Sequence, residues 1–146
     1  MATITKYYSW RENQENGVAV INWDAAGDTV KVMLTTSAYT PAQTHVYISE
    51  ANANEVTGTN YTATGGEIAS KTVVQATGTT TVDGADVTWL QDGSGFANAR
   101  YAVIYKDTGT PATSPMVGYI DLGADKGNVN GDLTIQWNSS GIYTVA

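Results

Sequence analysis

Cysteine does not occur anywhere in this chain, and histidine occurs once, at position 45. The first absence excludes a disulfide framework and a thiol nucleophile; the second leaves any serine or threonine nucleophile with only His45 as its base. Basic residues are also scarce: seven Lys and Arg stand against 14 Asp and Glu, a formal charge of −7. Sequence-independent binding to DNA or RNA needs Lys and Arg to displace counterions from phosphates, so no nucleic-acid partner is expected. Charged residues make up only 14% of the chain, against ~25% in ordinary globular proteins. Thr, Asn, Ser and Gly fill the deficit, and the surface they predict is neutral and polar. No run approaches the ~20 apolar residues of a membrane helix, and the first ten residues lack a charged start followed by an apolar stretch. The expectation is a product with no membrane partner, made and folded in the cytoplasm. Freedom from cysteine also suits later service outside a cell.

What is present is β-type patterning. At 146 residues the chain predicts one domain, large enough to bury a core without disulfides or metals. Leu133, Ile135 and Trp137 alternate with polar residues, as do Val30, Val32 and Leu34, which marks half-buried strands with one face on a core. Residues 100–106 place Tyr101, Val103 and Tyr105 on one side and Ala102 and Ile104 on the other, so this strand belongs in the middle of a sheet. Residues 117–122 read similarly, after a loop over 107–115 that contains two prolines. Weaker strands are predicted over 18–23, 71–76, 79–82, 85–90 and 142–145, with Asp83-Gly84 as the hairpin turn that pairs 79–82 with 85–90. Residues 40–53 follow a bend at Pro41, carry Thr44, Tyr47 and Ile48 at helical spacing, and predict a short helix. Residues 56–70, rich in Thr and Gly, predict an ordered surface loop. The fold class is therefore all-β: one antiparallel β-sandwich or jelly-roll-like domain over 18–146, with an extended N-terminal arm over 1–17 and at most one short helix. Trp23, Trp89, Tyr101, Val103, Leu133, Ile135 and Trp137 are expected in or near a two-layer core.

The chemistry-bearing groups favour a scaffold over an enzyme. Gly93-Ser94-Gly95 lacks the frame of a nucleophile elbow and reads as turn chemistry, and His45 reads as a structural hydrogen-bonding residue. Asp83, Asp86 and Asp92, and again Asp121 and Asp125, are close in sequence. A glycosidase needs two carboxylates about 5–9 Å apart, and turn solvation is the competing reading. The run from Lys126 to Gly131 imitates an EF-hand loop, but Lys126 holds the first ligand position and Trp137 the twelfth. That match fails, leaving Asp125 or Asp132 at most in a weak oxygen site. No catalytic residue, cofactor or metal is expected. The remaining candidates are in the arm: Tyr7, Tyr8 and Trp10, with Arg11 beside them, are an odd choice for a free terminus unless something covers them. They are the expected partner-interface residues, with folding back onto their own domain as the alternative.

Several stretches taken together resemble a known group. These are Ser37-Ala-Tyr-Thr-Pro41 with Thr44-His45, Asn54-Glu-Val-Thr-Gly-Thr59, Tyr61, Gly65-Gly66, Arg100-Tyr-Ala-Val-Ile-Tyr-Lys-Asp107 and Gly131-Asp-Leu-Thr-Ile-Gln-Trp137. Over residues 28–146 the chain resembles small tailed-bacteriophage virion structural proteins of the capsid decoration or cement type. The resemblance implies a virion component on the capsid surface, synthesised in the host cytoplasm, with the major capsid protein as partner and no catalytic residues. A homotrimer on local three-fold axes is the natural closed assembly for such a role. A phage tail or neck protein, and a receptor- or glycan-binding module using Trp89 or Trp10 as a stacking platform, are the alternatives. A carboxylate glycosidase comes after them.

Overall fold

In the computed structural model, which describes residues 2–146, the alternating segment around Val32 forms β2 (Val30–Thr35) and the doubly apolar segment around Val103 forms β7 (Ala99–Lys106). β7 is the middle strand of a five-stranded antiparallel sheet, between β2 and β8 (Met116–Lys126). Outside these lie β1 (Thr5–Lys6), paired to β8, and β3 (Gly66–Glu67), paired to β2. The central position is what two apolar faces require. Ala102 and Ile104 join Val30, Val32 and Leu34 in the larger core on one side, while Val103 and Tyr105 join Met33 in a smaller core on the other.

Two smaller antiparallel sheets close the larger core. One contains β4 (Thr72–Ala76), β5 (Thr79–Asp83) and β10 (Tyr143–Val145) in the order β10-β5-β4; the other pairs β6 (Val87–Trp89) with β9 (Leu133–Ile135). Val82, Trp89, Ile135, Trp137 and Tyr143 carry their layer's apolar surface into that core. Each such side chain, removed from water, contributes roughly 1.5–3 kcal/mol. The result is an all-β, sandwich-like domain with one α-helix, α1 (Tyr8–Asn16). Tyr7, Tyr39, Ile48 and Ala51 cover the smaller core. No helix among the described residues is long and apolar enough to cross a membrane.

Four local expectations differ from what forms. First, residues 2–16 are not an extended arm: β1 adds to the large sheet and α1 packs on the domain. Second, 18–23 is no strand. The Gln14 amide accepts from the Ile21 N–H at 2.6 Å and donates to the Ile21 carbonyl at 3.3 Å, so a side chain takes the place of a neighbouring strand. Third, 40–53 makes only two 3₁₀ turns, Ile48–Glu50 and Asn52–Asn54, because the Glu50 carboxylate takes the N–H groups of Val46 and Tyr47 and fixes the start of the first turn there. Fourth, the hairpin turn is Thr77-Gly78, with φ of 48° and 85°, and joins β4 to β5. Asp83-Gly84 is a corner instead: a Cβ on Gly84 would stand 2.5 Å from the Ile68 side chain, so glycine is there for close approach. The 56–70 loop is ordered as expected, held by Glu55, whose carboxylate accepts from the Tyr61 hydroxyl at 2.8 Å and the Thr64 N–H at 2.6 Å.

Candidate functional site

The structure divides the four expected interface residues into two pairs. Tyr7 and Trp10 are interior, 2% and 6% exposed, and are anchors for their own domain. Tyr7 is the extended residue that precedes α1 and packs into the smaller core, Trp10 reaches the larger core from within the helix, and Tyr8 and Arg11 turn outward. The Tyr7 hydroxyl meets that of Tyr39 at 2.8 Å, and the Tyr39 hydroxyl meets His45 Nδ1 at 2.9 Å. Burial pushes the Tyr7 and Tyr39 phenols above the ordinary tyrosine range, so both stay protonated and the chain of bonds is a structural latch. His45 thus has the hydrogen-bonding place the sequence suggests.

Trp10 meets Tyr143 edge-on with ring centroids 4.8 Å apart, and Trp23 meets the same ring edge-on at 5.6 Å. The Lys6 ammonium stands 5.3 Å from the Trp10 ring and 5.2 Å from the Tyr143 ring. Burial raises the Tyr143 phenol as well. These rings form one wall of a groove of about 670 Å³ between α1, the 20–24 segment and the β10-β5-β4 sheet. Val20 and Val73 line the groove and are exposed, as is Arg11, which is tied to Glu15 at 2.8 Å on the helix surface. Tyr8 and Val18 are exposed beside it, at 66% and 73%. Single apolar side chains on a surface are ordinary, but Val20 and Val73 are exposed within the same groove.

Most of the candidate catalytic and metal-binding groups hold local structure; Asp125 is exposed. Asp83 accepts from the Gly84 N–H, Asp86 from the Trp137 N–H, Asp92 from the Ser94 N–H and Asp132 from the Gln91 N–H, at 2.7–2.9 Å. Asp121 receives Arg100 at 2.8 Å, and that bond, helped by the Gly123 N–H, holds its carboxyl below the usual aspartate range. Asp107 sits 2.7 Å from the Lys31 ammonium; burial pushes its carboxyl up, but Lys31 and the Gly109 N–H outweigh this and hold it low. In the EF-hand-like run, Asn128 is fully buried. It accepts from the Phe96 N–H at 2.9 Å and donates to the carbonyls of Thr59 and Leu90 at 3.1 and 2.8 Å. It is a clip between three loops. Among the described residues no three His, Asp or Glu groups are placed to hold a metal ion. Trp89 is 5% exposed, with Tyr61 and Phe96 against it, so neither Trp89 nor Trp10 presents a free ring face as a stacking platform.

Sequence reasoning missed Val20 and Val73 at the groove, Gln14 beneath it, and the open strand β4. One signal was available: no charged residue occurs between Lys71 and Asp83 in a chain of net charge −7. No family model, no curated protein and no solved structure matches this chain.

Proposed function

We propose that this chain is a tailed-bacteriophage capsid decoration protein that binds the outer capsid surface at local three-fold axes and stabilises the head. The reading starts from the resemblance carried by residues 28–146, and the observation that supports it best is the groove beside α1 with its exposed apolar residues Val20 and Val73. A cement protein needs a rigid body and a surface that buries against the major capsid protein at many copies, and it needs no chemistry. The sandwich supplies the rigid body, and the docked helix presents Arg11 at the rim of the groove and Tyr8 on the adjoining surface. Trimers at the three-fold positions set the number of such patches on the shell.

Cryo-electron microscopy of virions tests this. Density for the domain at three-fold and quasi-three-fold positions, with the α1 groove against the capsid, is the expected result. Density only at the neck or tail, in six- or twelve-fold rings, overturns it. Sedimentation of protein released gently from capsids should give a trimer; monomer alone, both free and after release, counts against the assembly. Val20→Asp, on the surface of the groove, should reduce binding to purified capsids at least tenfold while leaving the thermal transition within about 0.5 kcal/mol.

A further inference from the structure

An edge strand offers unpaired N–H and C=O groups to any other strand, and natural sheets blunt their edges by shortness, charge, proline or bulges. Most edges here are blunted. β1 and β3 have two residues each, β6 and β9 three each, and the half of β8 beyond β1 carries Asp121, Asp125 and Lys126. β4 is different. It is five residues long, all five are exposed, and Thr-Val-Val-Gln-Ala contains no charge, proline or glycine. It pairs with β5 on one side and, among the described residues, with nothing on the other.

We infer that β4 pairs antiparallel with β4 of a second copy of this chain about a two-fold axis through Val74. Register carries the argument. Ala76 and Thr79 close a two-residue turn, so they form a hydrogen-bonded pair with β5, and the alternation along the strand makes Val74 another. The N–H and C=O groups of Val73 and Gln75 therefore point away from β5, to the open side. A two-fold axis at Val74 sets Val73 opposite the second copy's Gln75 and Gln75 opposite its Val73, so both pairs exchange hydrogen bonds. The two Val74 residues then meet as a non-hydrogen-bonded pair, where side chains approach most closely.

Charge favours the same occupant. Two copies that each carry −7 repel over most of their surfaces, but no charge lies between Lys71 and Asp83, and Lys71 itself is buried. Pairing makes one continuous six-stranded sheet from two three-stranded ones. A five-residue strand buries less than the ~1,200 Å² of a standard stable interface, so the pair is weak in dilute solution and forms where copies are concentrated. The contact uses the backbone edge of β4, although the Val73 side chain also lines the groove, and it goes beyond the capsid-binding reading without depending on it.

The absence of native cysteine makes a direct test possible. A non-hydrogen-bonded antiparallel pair has Cα atoms about 4.5 Å apart, inside the disulfide range of roughly 4.4–6.8 Å. Oxidised at high concentration, Val74→Cys should give a disulfide dimer. Val73→Cys alone and Gln75→Cys alone should remain monomeric, while their mixture should give a heterodimer. All three positions are exposed strand sites, so the variants keep the fold, as circular dichroism checks. A Val74→Cys protein that stays monomeric, or Val73→Cys cross-linking as fast as Val74→Cys, overturns the pairing. Protection of the Val73 and Gln75 amides from hydrogen exchange only on capsids, with Val74→Cys monomeric, overturns it in favour of a strand from a different protein.

Discussion

Removing the Asn128 side chain tests whether one buried amide holds three loops together. Asn128→Ala deletes the partner of the Phe96 N–H, a donor to the Thr59 carbonyl, and one donor to the Leu90 carbonyl, which keeps Asn60 at 3.3 Å. Each lost hydrogen bond is worth about 1 kcal/mol net, and a buried N–H left without a partner costs about 1–3 kcal/mol. With the Leu90 loss discounted, the sum is about 2–4 kcal/mol. For a domain of this size 1 kcal/mol moves the melting temperature by roughly 2–4 °C, so a fall of about 10 °C is expected by calorimetry. Asn128→Asp keeps the acceptor for Phe96 but sets a carboxylate against two carbonyls, and should lose at least as much. Asn130→Ala, an exposed neighbour in the same run, should change stability by less than about 0.5 kcal/mol. A loss under about 1 kcal/mol at Asn128, or an equal loss at Asn130, refutes the reasoning.

Trp10→Ala should cost about 3–5 kcal/mol by chemical denaturation, because it removes a buried ring packed on Tyr143; an unchanged midpoint would mean α1 is not docked in solution. Thr77→Asn should stabilise the domain by about 0.5–1 kcal/mol, since a β-branched residue at φ 48° is replaced by one that tolerates the left-handed region; destabilisation would refute the turn assignment. Asp107 and Asp121 both have folded carboxyls below the ordinary value of 3.8. Their stabilisation is therefore present above that pH and is lost as pH falls through the lower folded values. Melting temperature should fall steeply in that acid range and less steeply in Asp107→Asn, and an identical slope in the variant counts against the Lys31 pair.

The large sheet was legible in the sequence because its strands obey a two-residue period and burial on both sides of β7 leaves Tyr101, Val103 and Tyr105 against Ala102 and Ile104. All seven expected core residues are buried or half-buried. The small elements were not legible, because single polar side chains decide them. Gln14 supports Ile21, Glu50 starts a turn at Val46 and Tyr47, and Asp83 caps a corner instead of a hairpin, and none of these partners is implied by periodicity. The aromatic arm was recognised as needing cover, and its inward and outward residues separate only once the chain turns from an extended Tyr7 into α1 at Tyr8. The β4 edge is a matter of what a strand lacks, which a pattern of apolar residues does not record.

The bond between the Gln14 amide and Ile21 has a thermodynamic consequence. A nine-residue helix is too short to persist alone in water, and the strap after it has no strand beside it. The Gln14 amide couples the two: when α1 leaves, Ile21 loses both of its bonds to Gln14, while Lys106 at the Val20 carbonyl and Asp28 at the Asn22 N–H still hold the segment. The exchange rate of the single Ile21 amide therefore reports the undocking of α1 separately from the opening of the whole domain.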